Sequence, residues 1–484
     1  MKTISYLLTL LLAIGFHLAK AQNASVEATA EKILETYPGY KETSIQDRRF
    51  KHEEIVPLIE RLQGKPGFEI SVVGQSVEKR NIYLVRIGNG PTPVLLWSQM
   101  HGDEPTATMA IMDLFNFFAD AGGPLDDWRQ LLIKDLSLYF IPMLNPDGAE
   151  RFQRRNALDI DLNRDAVRQQ TPEAQILKRL RDSLQAVWGF NLHDQSRYYS
   201  VGRSGMTASF SFLAPAYNFE KDINPVRERS MQLIVELDQL IEQYIPGQVA
   251  RYDDEFEPRA FGDNMQKWGT STILIESGAY PGDPEKQQLR RYHYLLLLSA
   301  FEAIRSESFA QQNKDDYFLI PENKRLLHDL IVREASWQRD GHQYRIDLAF
   351  RQKEKLYNGA RLVYREGQLV DIGDLSTFTG FSELDASDML VQSGKLYPRV
   401  FFDLKELQRE TDFKKLLQDG YTDVRLQRLP PAEVTAELPL RLHPANTKKI
   451  SNEIKLYTNP SLLLTKGNEV QYAIVNGKLY DVNR

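Results

Sequence analysis

Short apolar runs that break off at a histidine, an asparagine or a glutamate set the pattern of this chain. Val94 to Met100 is apolar and bounded by turn residues, the profile of a buried strand, and His101 stands at its carboxyl end. The profile recurs from about Leu136 to Leu144, which ends in the turn Asn145-Pro146-Asp147-Gly148. It recurs from Val187 to Leu192, ending at His193, and from Ser271 to Ile275, ending in Glu276-Ser277-Gly278. Upstream, HEEIVPLIERL carries the spacing of a helix.

Past residue 306 the pattern changes. The polar stretch 306–317, SESFAQQNKDDY, predicts a linker, and HQYRIDLAFRQ, ARLVYREGQLVDIG and VQYAIVNGKLYDV alternate as strands do. The last two have glycine-centred turns and predict hairpins. Asp403 to Asp419 predicts a helix with Asp403 at its N-cap. These readings divide the chain into 22–305, the linker 306–317, and a β-rich accessory domain over 318–484 whose partner cannot be read from its residues.

At the other end, Lys2, an apolar core from about Ile4 to Leu18 and the small-x-small triplet Ala19-Lys20-Ala21 predict a signal peptide over 1–21. A secreted or periplasmic protein is expected. No other apolar run approaches the roughly 20 residues of a membrane span. With about two dozen residues between Gln22 and the first recognisable segment, an inhibitory pro-domain is not expected. The chain has 484 residues and no cysteine, so its stability comes from core size rather than disulfides. Its net charge of −6 gives no support to nucleic-acid binding.

The chemistry sits at the strand ends, where open α/β sheets build their sites. His101, Glu104 and His193 offer two imidazoles and one carboxylate, which leave a fourth position open on a hydrolytic zinc ion. Taken singly, either histidine reads more simply as a strand cap or a core residue. Together with Glu276 and an arginine-rich loop after Gly148, they supply the parts of a metal-assisted hydrolase.

HGDE, NPDG, RRNALDIDLNR, NLHDQ and TILIESG, preceded by Gly74-Gln75-Ser76-Val77-Glu78-Lys79-Arg80-Asn81-Ile82, resemble the zinc carboxypeptidases of the carboxypeptidase A type in content and order over about residues 45–305. The resemblance implies an α/β fold: a mixed, largely parallel sheet with helices on both faces, here followed by the smaller β-rich domain. It implies one zinc per chain on His101, Glu104 and His193, with Glu276 as general base and a peptide as substrate. Arg154 stands at the oxyanion-facing position, its register against neighbouring Arg151 and Arg155 set by Asn163-Arg164. Asn163 and Arg164 match the pair that grips the terminal carboxylate, and Asp161 a carboxylate that orients a zinc histidine.

Three departures accompany the resemblance. Asp159 replaces a glycine, and Asp165 brings an acid beside the clamp where asparagine is usual. The family's mobile tyrosine has only Tyr252 as a candidate, in an unsettled register, near the acids Asp253, Asp254, Glu255 and Glu257. The expected function is an exported zinc metallocarboxypeptidase. A deacylase or amidase of the same superfamily, acting on an N-acyl amino acid or cell-wall peptide, is the alternative enzyme. A metal-free binding protein on the same scaffold is the alternative outside enzymology.

Overall fold

The computed structural model describes residues 29–483, so the signal-peptide reading lies outside the described residues. The described residues form two compact units, unit 1 up to Lys324 and unit 2 from Arg325 on.

Unit 1 is built on an eight-stranded sheet. In chain order its strands are β1 (Phe68–Gln75), β2 (Asn81–Ile87), β3 (Thr92–Ser98), β4 (Leu136–Ile141), β5 (Trp188–Asp194), β7 (Phe210–Leu213), β8 (Val249–Arg251) and β9 (Ser271–Ser277), with the two-residue β6 (Ser200–Val201) outside it. They lie side by side as β1-β2-β4-β3-β5-β9-β7-β8. The central four, β4-β3-β5-β9, are parallel throughout, and antiparallel pairs flank them. This is the mixed, largely parallel sheet that was expected.

Strand side chains alternate between faces, so each strand feeds two cores. Val94 and Leu96, Leu138 and Phe140, and Ile273 and Ile275 share one core with the helices Thr106–Ala119, Pro225–Ile241 and Gln287–Ser306. Leu95, Trp97 and Ile141 face the other, against the helices Pro172–Leu184 and Phe261–Lys267. Burial on both faces is why these strands read as unbroken apolar runs. The segment at 29–50 is tied in by a buried ion pair: Arg290 Nε donates to Asp113 Oδ2 at 2.7 Å, while Tyr37 Oη and Glu42 N donate to the same carboxylate. Both charges are fully buried, so removing either would strand the other at a cost of about 3–5 kcal/mol.

The stretch 306–317 is not a linker. Ser308–Gln311 and Lys314–Leu319 are single helical turns whose Phe309 and Tyr317 are buried in the first core. Tyr317 Oη also accepts from Ala214 N, just past β7, at 3.1 Å. The chain then continues in unit 1 to β10 (Asn323–Lys324), which pairs with β6. Polar residues mask this anchoring because only two side chains carry it.

Unit 2 contains a second eight-stranded sheet and a three-stranded parallel sheet over Lys395–Phe401, Tyr421–Leu426 and Arg441–Pro444. The helix expected over Asp403–Asp419 is two, Leu404–Glu410 and Phe413–Gln418, because Asp412 starts a second N-cap after Asp403 starts the first. Asn476-Gly477 makes the expected hairpin turn, with both residues at positive φ. Gly367 does not. It lies within the continuous strand Leu362–Gly373, where a Cβ would come within 2.2 Å of the Asn476 backbone. Close approach, not turning, requires glycine there.

Candidate metal centre

Three neighbouring parallel strands deliver the site. His101 follows the end of β3, His193 lies near the end of β5, and Glu276 is directly opposite His193 in register on β9. Glu104 is brought back by a tight turn in which its N–H donates to the His101 carbonyl at 3.2 Å. Gly102 permits that turn, since a Cβ there would lie 2.0 Å from the Gly148 carbonyl carbon. Asn145 binds the surrounding pieces together: its Oδ1 accepts from Gly148 N, and its Nδ2 donates to Met100 O and Arg154 O. The NPDG turn is therefore the brace between the His101 strand and the Arg154 loop.

The Nδ1 atoms of both histidines face one carboxylate, at 2.9 Å from His101 to Glu104 Oε1 and 2.7 Å from His193 to Glu104 Oε2. All three groups are buried, and their ligand atoms lie within 4.8 Å of one another. On its other side His101 Nε2 meets Asp161 Oδ1 at 3.1 Å, and Asp161 Oδ2 accepts from Arg154 Nε at 3.0 Å. A carboxylate behind Nε2 fixes the proton there and turns the Nδ1 lone pair toward Glu104. Acceptor then faces acceptor, an arrangement that a proton or a cation must bridge. Burial alone would lower the His101 pKa, but Glu104 and then Asp161 raise it to about 9. Glu104 is held well below the carboxylate range, against its burial, by the two imidazoles. Two imidazole nitrogens and a carboxylate form a set that fits zinc.

Glu276 is also buried, and its Oε2 has no hydrogen-bond partner among the described residues. Burial, with Glu104 and Asp194 nearby, raises its pKa well above the usual value. A shielded carboxyl with a free oxygen at the rim of a metal-ligand cluster has the properties of a proton acceptor.

Residues 55–196 match the family model described as zinc carboxypeptidase. Over that stretch the chain is similar to the zinc carboxypeptidases. It is 31% identical over 99 residues to carboxypeptidase SOL1 of Arabidopsis thaliana, covering 19% of this chain and 20% of that protein. It is 25% identical over 138 residues to the human carboxypeptidase N catalytic chain, covering 24% and 30%. The chain thus spans less than a third of the length of either relative. Among solved structures, a metallo-carboxypeptidase from Burkholderia cenocepacia has a TM-score of 0.44 at 16% identity, covering 54% of this chain and 70% of that one. The matched residues 55–196 include His101, Glu104 and His193; Glu276 lies beyond them.

Around this carboxypeptidase-like centre the arginines separate by partner. Arg151 pairs with Glu78, and Arg155 donates to the Asp159 carbonyl. Only Arg154 of the three reaches the ligand cluster, its Nη1 lying 3.3 Å from Glu104 Oε1 and 3.1 Å from His101 Nδ1. Arg154, Asp161 and Arg164 line a cavity of about 510 Å³ together with Arg155, Asp159 and Arg259. Asn163 Oδ1 accepts from Phe261 N at 2.8 Å, and Arg164 Nε pairs with Glu257 at 3.1 Å. Asp159 adopts φ 58°, the left-handed conformation that explains a glycine preference at this position. Asp165 turns away from the cavity: it is buried and accepts from Gln170 N, Thr171 N and Thr171 Oγ1. Its charge is committed to the loop, which corrects the expectation of an acid beside the clamp.

The acids after Tyr252 are largely engaged. Asp254 pairs with Lys221 and Arg227, and Glu257 with Arg164 and Arg259. Tyr252 itself follows β8, its ring centroid 6.3 Å from that of Tyr199. Burial and then the Glu276 charge raise its phenol pKa.

Sequence reasoning did not single out Lys286. Its Nζ donates to Asp194 Oδ2 at 3.0 Å and to Ser277 O at 2.8 Å. One cation therefore ties the residue after His193 to the residue after Glu276, holding the ends of β5 and β9 in register. Nothing in its local sequence signals this, since Lys286 precedes a helix at φ 54° far from both strands.

Proposed function

We propose that this chain is an exported zinc metallocarboxypeptidase that hydrolyses the C-terminal peptide bond of peptides. The observation that carries the reading is the convergence of His101, Glu104 and His193 beside the shielded carboxyl of Glu276 on the next strand. Zinc held by the three would polarise the scissile carbonyl and acidify a water. Glu276 takes a proton from the attacking water and passes it to the leaving amine as the carbon–nitrogen bond breaks. Burial strengthens it as a base once ionised. Arg154 faces the carbonyl oxygen as it gains charge, and Asp161 keeps His101 in its working tautomer. Arg164, on the wall of the neighbouring cavity, and Asn163 beside it in sequence hold the substrate's terminal carboxylate.

Export rests on the N-terminal pattern of Lys2, the run from Ile4 to Leu18 and Ala19-Lys20-Ala21. Among the described residues no helix is long and apolar enough to cross a membrane.

The test is a pair of peptides that differ only in a free or amidated C-terminus. The free peptide should lose its last residue with kcat/KM favoured by roughly 2–4 kcal/mol, and Arg164→Ala should erase most of that preference. Equal cleavage of both peptides would point instead to an amidase or endopeptidase.

A further inference from the structure

Unit 2 contains a cavity of about 320 Å³, roughly the volume of ten water molecules, which the hydrolytic site does not use. Its walls are mostly apolar, with Leu429, Leu440, Leu442 and Val475 among them. Two polar groups break that surface. Arg441 is half-buried and, among the described residues, makes no ion pair; its guanidinium donates to the side-chain oxygen of Asn452 and to the backbone carbonyl of Asn459. The two acids within electrostatic reach are taken, Asp423 by His443 at 2.6 Å and Glu366 by Lys355 at 3.1 Å. Burial accordingly lowers the Arg441 pKa.

Asn459 supplies the second group. Its orientation is fixed through Asn476, whose Nδ2 donates to Arg365 O and Ala436 O. Asn476 Oδ1 must then accept, from Gly367 N at 2.7 Å and from Asn459 Nδ2 at 3.1 Å. That leaves Asn459 Oδ1 shielded from solvent with no donor among the described residues. A cation lacking an anion and an acceptor lacking a donor thus stand on adjacent walls of one apolar cavity. An isolated buried polar group of either kind costs free energy that a ligand can return.

We propose that unit 2 is a binding site for a free α-amino acid with an apolar side chain. Arg441 takes the carboxylate through charge-assisted hydrogen bonds, Asn459 Oδ1 accepts from the ammonium, and the side chain fills the apolar walls. The carboxylate and ammonium of an α-amino acid share one carbon, which matches anchors on residues that already touch each other. This site stands apart from the hydrolytic reading, although a free amino acid is what that reaction releases.

The experiment is calorimetric titration of the full chain with L-leucine, L-leucinamide and N-acetyl-L-leucine. L-leucine should bind at one site per chain, and each capped form should bind at least about 10-fold more weakly. Arg441→Met should weaken L-leucine by about 10- to 100-fold and leave peptide hydrolysis unchanged. Leu429→Trp, a change at a side chain 43% exposed, should block the cavity without disturbing folding and gives the same result if Arg441→Met does not fold. Arg164→Ala should leave L-leucine binding intact, which separates this site from unit 1. No binding to the folded parent, equal binding of N-acetyl-L-leucine, or binding that survives both unit 2 variants would overturn the proposal.

Discussion

Both units contain parallel strands with titratable residues, and they use them in opposite ways. In unit 1 the imidazoles and acids sit at the ends of β3, β5 and β9, where three side chains meet in one crevice. Their hydrogen bonding is incomplete: Glu276 Oε2 and His193 Nε2 are buried without partners among the described residues. In unit 2 the corresponding pair, Asp423 and His443, lies within the parallel strands rather than beyond them. Asp423 Oδ1 meets His443 Nε2, while its Oδ2 accepts from Thr422 Oγ1 and Asn452 Nδ2, so both oxygens are occupied. A carboxylate and an imidazole in contact do not by themselves mark a reactive site. What marks one is capacity left over after the fold has taken its share.

The comparison breaks first at the histidines. His101→Ala and His193→Ala should each abolish zinc retention and turnover, measured by metal analysis beside activity. His443→Ala should leave both unchanged and act on unit 2 stability alone, by about 1–3 kcal/mol, because it strips a partner from a buried acid. Full zinc retention after His101→Ala and His193→Ala together would remove the distinction between the units.

A buried imidazole that faces the core sharpens the same contrast. His293 is fully buried against Phe210 with Ser277 Oγ at Nδ1, and burial, helped by Lys286, pushes its pKa down from 6.5 to about 3. The unfolded chain therefore takes up a proton that the folded chain refuses. Its contribution is fully present above pH 6.5 and is lost as pH falls from there toward 3. Denaturation at pH 7 and pH 5 should show a larger loss in the parent than in His293→Phe. An equal loss would mean that other groups set acid sensitivity.

The smallest effect should come from removing unit 2. A chain ending at Lys324 retains β10, the Arg251–Glu322 ion pair and the Asn323 bond to Gln195, whereas one ending at Tyr317 loses all three. The longer truncation should melt cooperatively, hold zinc and cleave a short peptide within a fewfold of the parent. A folded, zinc-loaded but inactive truncation would show that unit 2 completes the catalytic site.

The strand ends were legible because a parallel strand buried on both faces writes an apolar run, and the residue that stops it is easy to see. His101, Glu104, His193 and Glu276 were found this way, and the resemblance brought Asp161, Arg154, Asn163 and Arg164 to the same region. Lys286 was not legible, since its role depends on two carbonyl-end neighbours remote in sequence. Tyr252 was visible but not assignable, because nothing in its segment sets its register. The parallel sheet of unit 2 escaped notice because its helices run only six or seven residues, too short for a clear period. Asp165 misled because charge was legible and orientation was not.

The central claim, that the rim formed by β3, β5 and β9 performs the chemistry, is tested most directly by kcat of zinc-loaded Glu276→Gln on a peptide with a free C-terminus. The amide keeps the shape and cannot accept the proton. The account predicts full zinc occupancy, little change in KM and a fall in kcat of about 10²-fold or more. A zinc-loaded variant that turns over within a fewfold of the parent would contradict it.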